Sequence, residues 1–206
     1  ANIAGSTAEE YAEGARRLEK TGVDMIELNI SCPNVKEGGI AFGTSRRAAA
    51  KVTKAVRAAT SKPLMVKLSP NVTSIAEIAK AAEAEGADAL SLINTLTGLR
   101  VDIATRRPVL RNNTGGLSGP AVLPVALRMV WEVYKSVKIP VVGMGGVSSW
   151  EDAVEMLLCG ASAVQVGTAM FADPFAPLKI VDGLSEYLVR QNLQSVSELT
   201  GQIRPW

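Results

Sequence analysis

Short apolar runs alternate along this chain with longer amphipathic, alanine-rich stretches, and the alternation sets the expected elements. A period of two, or an unbroken apolar run, predicts strands at residues 2–5, 25–31, 64–69, 87–94, 141–145 and 163–167. Apolar spacing of three and four predicts helices at residues 8–20, 45–60, 75–85, 120–137, 150–158 and 175–189. Start signals agree: Ser6 with Glu9, Ser74 with Glu77 and Ser148 with Glu151 fit capping boxes. A weak repeat marks the helix-to-strand junctions. Gly22, Gly86 and Gly160 suit left-handed helix ends, whereas Lys62-Pro63 and Ile139-Pro140 precede the other strands.

Strand and helix in strict alternation point to βα units around a parallel sheet. Two stretches are longer than a bare βα unit needs, residues 33–43 and 95–119, and both follow strands. In parallel α/β proteins that face carries the ligand site. Six such units fit a (β/α)8 TIM barrel two units short of closure, with a doubly wound open sheet as the alternative. The chain begins with Ala1 and enters a strand at once. The expectation is therefore one barrel domain over residues 1–206 that forms the C-terminal two-thirds of a longer domain, with open edges at its first and last strands.

Composition narrows the chemistry. The chain has 206 residues, 47% hydrophobic and 4% aromatic, enough for a sizeable single core. A net charge of +2, with no basic run, gives no ground for nucleic-acid binding. No apolar run reaches membrane-spanning length, so the expected location is the cytoplasm. Cys32 and Cys159 do not form a disulfide framework. Histidine is absent, which leaves Cys, Lys, Asp or Glu for proton transfer and makes a metal site unexpected.

Polar residues gather where strands end. Asn29, Ser31, Cys32 and Asn34 follow an apolar strand that Pro33 stops. Two carboxamides flanking a thiol suit a planar, amide-rich ligand and a proton transfer. Lys67 sits inside an otherwise apolar strand; it either snorkels outward or holds positive charge against a ligand. Asn94 and Thr95 end a strand at the same level, where a turn-forming role is the plain reading and a shared ligand the sharper one. The stretch Val142-Gly-Met-Gly-Gly-Val-Ser148 opens a helix and resembles an anion cradle, with Val166-Gly-Thr168 as its neighbour on the next strand. The glycines of Asn113-Thr-Gly-Gly-Leu-Ser-Gly119 form either a flexible linker or a close backbone approach to a flat ligand. Cys159 reads as a small core residue.

Taken in order, Asn29-Ile-Ser-Cys-Pro-Asn34, Val66-Lys-Leu68, Asn94-Thr95, Gly115-Gly-Leu-Ser-Gly119, Gly143-Met-Gly-Gly146 and Val166-Gly-Thr168 resemble the motifs of the dihydroorotate dehydrogenases along the whole chain. Cysteine at position 32 is similar to the soluble class 1 enzymes, since class 2 carries serine there. The following Pro-Asn-Val-Lys-Glu-Gly-Gly is similar to class 1B. The resemblance implies oxidation of dihydroorotate to orotate, a step of de novo pyrimidine (UMP) biosynthesis, on FMN. It also implies a partner electron-transfer subunit holding FAD and a 2Fe–2S cluster that passes electrons to NAD, in a homodimer within a heterotetramer. By the same resemblance Cys32 is the base and Lys67 steadies the reduced flavin, while Asn29, Asn34, Asn94 and Thr95 bind substrate. Asn2, Asn29, Lys67, Ile93, Gly119, Gly145, Gly146, Gly167 and Thr168 contact FMN, and residues 33–43 form a lid. The family's two further N-terminal strands, with a substrate lysine, have no counterpart in this sequence. The remaining readings are an enzyme similar to dihydropyrimidine dehydrogenases and a non-catalytic barrel fragment.

Overall fold

The computed structural model describes residues 1–31 and 40–206. In chain order the elements are β1 (Asn2–Ile3), α1 (Ala8–Glu19), β2 (Ile26–Asn29), α2 (Ile40–Gly43), α3 (Arg46–Arg57), β3 (Leu64–Lys67), α4 (Ile75–Ala84) and β4 (Ala89–Leu92). Then come β5 (Leu96–Leu99), β6 (Val101–Asp102), β7 (Arg107–Pro108), β8 (Thr114–Leu117), α5 (Leu123–Tyr134), β9 (Val141–Met144), α6 (Trp150–Leu158), β10 (Ala163–Gln165), α7 (Ala169–Ala172) and α8 (Ala176–Gln191).

Six strands pair in parallel in the order β1-β2-β3-β4-β9-β10. Strand order follows chain order without reversal. A doubly wound sheet reverses direction at a switch point, so this order selects the barrel type over the open-sheet alternative. The sheet is a partial α/β barrel with β1 and β10 at its edges.

One side of the sheet is apolar and fully covered. Ile26, Leu28, Leu64, Val66, Leu90, Leu92 and Val141 are buried with Tyr11, Ala15, Val52, Val56, Ile78, Val130, Val133 and Met156 from the helices in one continuous cluster. Burying each large side chain contributes about 1.5–3 kcal/mol, which fixes the register because a one-residue slip would expose the whole set. The alternate positions carry the polar residues. Asn29 pairs in register with Lys67, and Lys67 with Ser91, so three polar side chains lie level across three strands.

Helix starts differ from the expected boxes by one residue. Thr7, not Ser6, caps α1 by accepting from the Glu10 N–H, and Ser149 with Asp152, not Ser148 with Glu151, forms the box of α6. Ser74 caps α4 without a side-chain bond. Gly86 and Gly160 are left-handed at φ +91° and +113°, whereas Gly22 is not among the positive-φ glycines. The long stretch after β4 is a built element: β5 pairs with β8 and β6 with β7, both antiparallel. The spacing did not reveal these ribbons. Gly115 and Gly116 belong to them, since a Cβ would lie 2.4 Å from Leu110 Cδ1 and 2.0 Å from Thr95 Oγ1, respectively. Neither glycine is a linker residue.

Candidate active site

A cavity of about 660 Å³ opens at the C-terminal ends of the strands. That volume suits a cofactor-sized ligand. Lys67 comes from the end of β3; Ile93, Asn94 and Thr95 follow β4; Gly119 follows β8; Gly145 and Gly146 follow β9; and Gly167 and Thr168 follow β10. All of them line it. The structure thus gathers most of the residues nominated from sequence into one place, across more than a hundred positions of chain.

Asn2 and Asn29 are not in the lining. The Asn2 carboxamide donates to the Glu27 carboxylate, which also accepts from Ser91 Oγ at 2.6 Å. Asn29 lies beside Lys67 in the register. Its Oδ1 accepts from the Ser31 N–H at 3.1 Å and from Ser31 Oγ at 2.7 Å, and its backbone carbonyl accepts from the Tyr11 hydroxyl at 2.7 Å. Cys32 and Asn34 lie outside the described residues, as does most of the expected lid.

One end of the cavity carries the Lys67 ammonium and the Asn94 carboxamide. Among the described residues no carboxylate pairs with the Lys67 ammonium, so its charge is free to face a ligand. Asn94 Nδ2 donates to Ser31 Oγ at 2.8 Å and to the Ser31 carbonyl at 3.2 Å, while Asn94 Oδ1 accepts from the Thr95 N–H at 2.8 Å.

The other end is built from glycine. Gly145 and Gly146 take φ +117° and +84°, and a Cβ on Gly146 would lie 2.7 Å from the Leu123 nitrogen. Packing and backbone strain therefore require glycine there. Gly167 differs, because among the described residues no atom lies within 4 Å of a Cβ placed there. Among the described residues the N–H groups of Gly146, Gly167 and Thr168 donate to no protein acceptor. Converging free N–H groups make an anion site. The two N–H groups just before α6 are not part of it, because those of Ser148 and Ser149 donate to Asp152 at 2.8 and 3.0 Å.

Four residues to which the sequence alone assigns no role take part: Ser31, already placed in the strand-end polar cluster, and Asn71, Asp173 and Lys179. Ser31 is fully buried between Asn29 and Asn94. Asn71, in the loop after β3, donates to the Thr95 carbonyl at 3.1 Å and accepts from the Thr97 N–H at 2.9 Å. Asp173 and Lys179 pair at 2.6 Å on the cavity wall, and the Lys179 ammonium, then the Phe175 N–H, hold the Asp173 carboxyl below its ordinary range. The signal for Asn71 was its place after a strand, on the face where Asn29 and Asn94 had been singled out. Nothing in the pattern distinguished Ser31 from a strand-end serine. Cys159 is 8% exposed, and burial, followed by the nearby Glu155 charge, pushes its thiol up. It sits in the core cluster.

Among the described residues no group of three or more His, Cys, Asp or Glu side chains is placed to hold a metal ion, and no helix is long and apolar enough to cross a membrane.

Known proteins align with this architecture. The family model described as dihydroorotate dehydrogenase matches residues 1–188. A protein of Geobacter metallireducens named dihydroorotate dehydrogenase B (NAD(+)), catalytic subunit, is 60% identical over 204 residues, covering 98% of this chain and 67% of that protein. A protein of the same name from Parabacteroides distasonis is 56% identical over 203 residues, with the same coverage of 98% and 67%. The chain thus spans about two thirds of the length of these relatives. In the solved structures, DHODH from Eimeria tenella in complex with ferulenol superposes with a TM-score of 0.82 at 24% identity, covering 98% of this chain and 60% of that one, a likeness of fold. With a matching family model over most of its length and relatives well above half identical, this chain belongs to the dihydroorotate dehydrogenase family.

Proposed function

We propose that this chain forms the flavin- and substrate-binding part of an enzyme that oxidises dihydroorotate to orotate, with FMN as cofactor in the cavity just described. The observation that carries the reading is the polarity of that cavity. Lys67, which pairs with no carboxylate among the described residues, and the Asn94 carboxamide lie at one end, and the backbone N–H groups of Gly146, Gly167 and Thr168, which donate to no acceptor among the described residues, at the other. A phosphate needs such donors with no side chain in the way, and the open space at Gly167 leaves room for it.

Bound FMN supplies the acceptor for the hydride that leaves the substrate ring. The chain's residues do the rest. Lys67 would help hold the flavin and would supply a positive charge against the negative charge that reduction brings to it. Asn29, Asn34, Asn94 and Thr95 hold the substrate's ring amides and carboxylate, and Ile93 and Gly119 present backbone to the cofactor. Asn2, on β1, is kept as a cofactor contact on the strength of its place in the family's motif order. Cys32 takes the proton from ring carbon 5. It is the candidate base because it stands where the family's motif carries that residue, and the absence of histidine and the core burial of Cys159 agree with it.

The relatives' names specify NAD(+) and a catalytic subunit. They support the reading that a second subunit takes the electrons on to NAD; that this subunit carries FAD and a 2Fe–2S cluster and that the step serves de novo pyrimidine synthesis belong to the proposal.

The deciding experiment is anaerobic flavin reduction in the complete, FMN-loaded protein that contains this chain. Dihydroorotate is expected to bleach the flavin, and Cys32→Ala to slow bleaching by about 10²–10⁴-fold while FMN stays bound. Bleaching by dihydrouracil and not by dihydroorotate would overturn the substrate. Unchanged bleaching in Cys32→Ala at neutral pH would overturn the base.

A further inference from the structure

Ser31 occupies an unusual place between two of the nominated substrate ligands. It is fully buried, and its single hydroxyl is used twice: the O–H donates to Asn29 Oδ1 at 2.7 Å, and the oxygen accepts from Asn94 Nδ2 at 2.8 Å. The Ser31 backbone repeats both polarities, its N–H donating to Asn29 Oδ1 at 3.1 Å and its carbonyl accepting from Asn94 Nδ2 at 3.2 Å.

A carboxamide has a donor end and an acceptor end that differ little in shape, so only its partners decide which end faces a ligand. On Asn29 the oxygen is taken twice by Ser31, which leaves the NH2 group, and among the described residues nothing accepts from it. On Asn94 both N–H bonds go to Ser31. Its oxygen accepts from the Thr95 N–H at 2.8 Å and, at the long limit of 3.5 Å, from Thr95 Oγ1, a weak bond that a ligand N–H can replace. Turning either amide over would set oxygen against oxygen or N–H against N–H in a buried position, a loss of two bonds at once.

We propose that Ser31 is the positioning residue that fixes the polarity of the substrate site, so that Asn29 offers a donor and Asn94 an acceptor to one face of the ligand. That pair matches a ring amide, whose C=O accepts and whose N–H donates. The proposal rests on the function proposed above and adds the element that sets the orientation of its ligands.

The test uses the complete FMN-loaded protein and orotate as probe, with binding read from the change in flavin absorbance. Ser31→Ala is expected to keep FMN and an unaltered ligand-free flavin spectrum, to weaken orotate binding about tenfold or more, and to raise KM for dihydroorotate far more than it lowers kcat. Ser31→Cys keeps the packing with weaker hydrogen bonds and is expected to fall between wild type and Ala. Wild-type orotate affinity in either variant overturns the proposal while leaving the function intact. Loss of FMN from both variants overturns it too, since Ser31 would then be holding the flavin or the fold. Failure of the wild-type protein to bind orotate removes the functional reading itself.

Discussion

Asn71 and Thr95 are joined by a 3.1 Å hydrogen bond from the Asn71 side-chain amide to the Thr95 carbonyl, tying the loop after β3 to the turn that leaves β4. The same carboxamide accepts from the Thr97 N–H at 2.9 Å, so it grips both sides of the residue that opens the ribbon. Ser69, almost fully buried, supports it by accepting from the Asn71 N–H at 3.2 Å. The clamp sets where Asn94 and Thr95 stand relative to Lys67.

Removing that clamp is expected to show in substrate affinity before it shows in cofactor content. Asn71→Ala should raise KM for dihydroorotate about 3- to 30-fold, the worth of one or two part-buried hydrogen bonds, with FMN retained. Asn71→Asp keeps the acceptor for Thr97 but loses the donor to Thr95, and should fall on the Ala side. Steady-state kinetics with a flavin absorbance ratio decide it; an unchanged KM in both variants would mean that the ribbon holds its own position.

The glycines at the other end separate two reasons for having no side chain. Gly146 is fixed by φ +84° and by Leu123, whereas Gly167 faces open space. Gly146→Val should therefore lower thermal stability and lose FMN together. Gly167→Val should keep the FMN-free melting temperature within a few degrees yet bind FMN at least about tenfold more weakly. Full flavin occupancy in Gly167→Val would move the phosphate elsewhere.

Lys67 has no carboxylate partner among the described residues, so its charge should be felt by whatever fills the cavity. Lys67→Met keeps the length of the side chain and removes the charge. Spectroelectrochemical titration should find the flavin's two-electron potential lower by more than about 30 mV, a shift worth about 1.4 kcal/mol for such a couple. A smaller change would detach Lys67 from the flavin.

These tests reach beyond what the sequence reveals, and the division has a physical cause. The six sheet strands were legible because burial on one face forces alternation or apolar runs, as in Ile26 and Leu28 against Glu27 and Asn29. Their barrel order was legible only as one of two options, since both folds use the same βα pattern. Lys67 stood out as a charge in an apolar strand, and Gly145 and Gly146 as glycines before a helix. The ribbons of β5 to β8 were hidden because their residues, Leu99, Val101 and Leu117 among them, are half-exposed and obey no core-facing period. Helix starts slipped by one residue because Ser6-Thr7 and Ser148-Ser149 each offer two adjacent capping hydroxyls, and only packing chooses between them. Ser31 acts on its neighbour Asn29 and on Asn94, and Asn71 on Thr95 and Thr97; the bonds that span more than twenty positions are ones no local pattern encodes.

The last prediction concerns stability. Glu19 ends α1, and its carboxylate collects donors from the chain entering β3: the Thr60 hydroxyl, and the Ser61 hydroxyl and N–H at 2.5 and 3.2 Å. The Ser61 and Thr60 hydroxyls, in that order, pull its pKa down from 4.5 to about 2. A carboxyl with a lower pKa folded than unfolded stabilises the fold above its unfolded value, and that contribution is lost as pH falls toward the folded one. Glu19→Gln cannot ionise and keeps one of the two acceptor oxygens. Wild type should therefore melt above Glu19→Gln by a constant margin at pH values above about 5.5, and the margin should shrink steadily as pH falls through 4.5 toward 2. Thermal melts of both proteins across that range read the margin directly. A margin that stays the same from pH 6 to about 3 would mean that Glu19 acts through the shape of its hydrogen bonds and not through its charge.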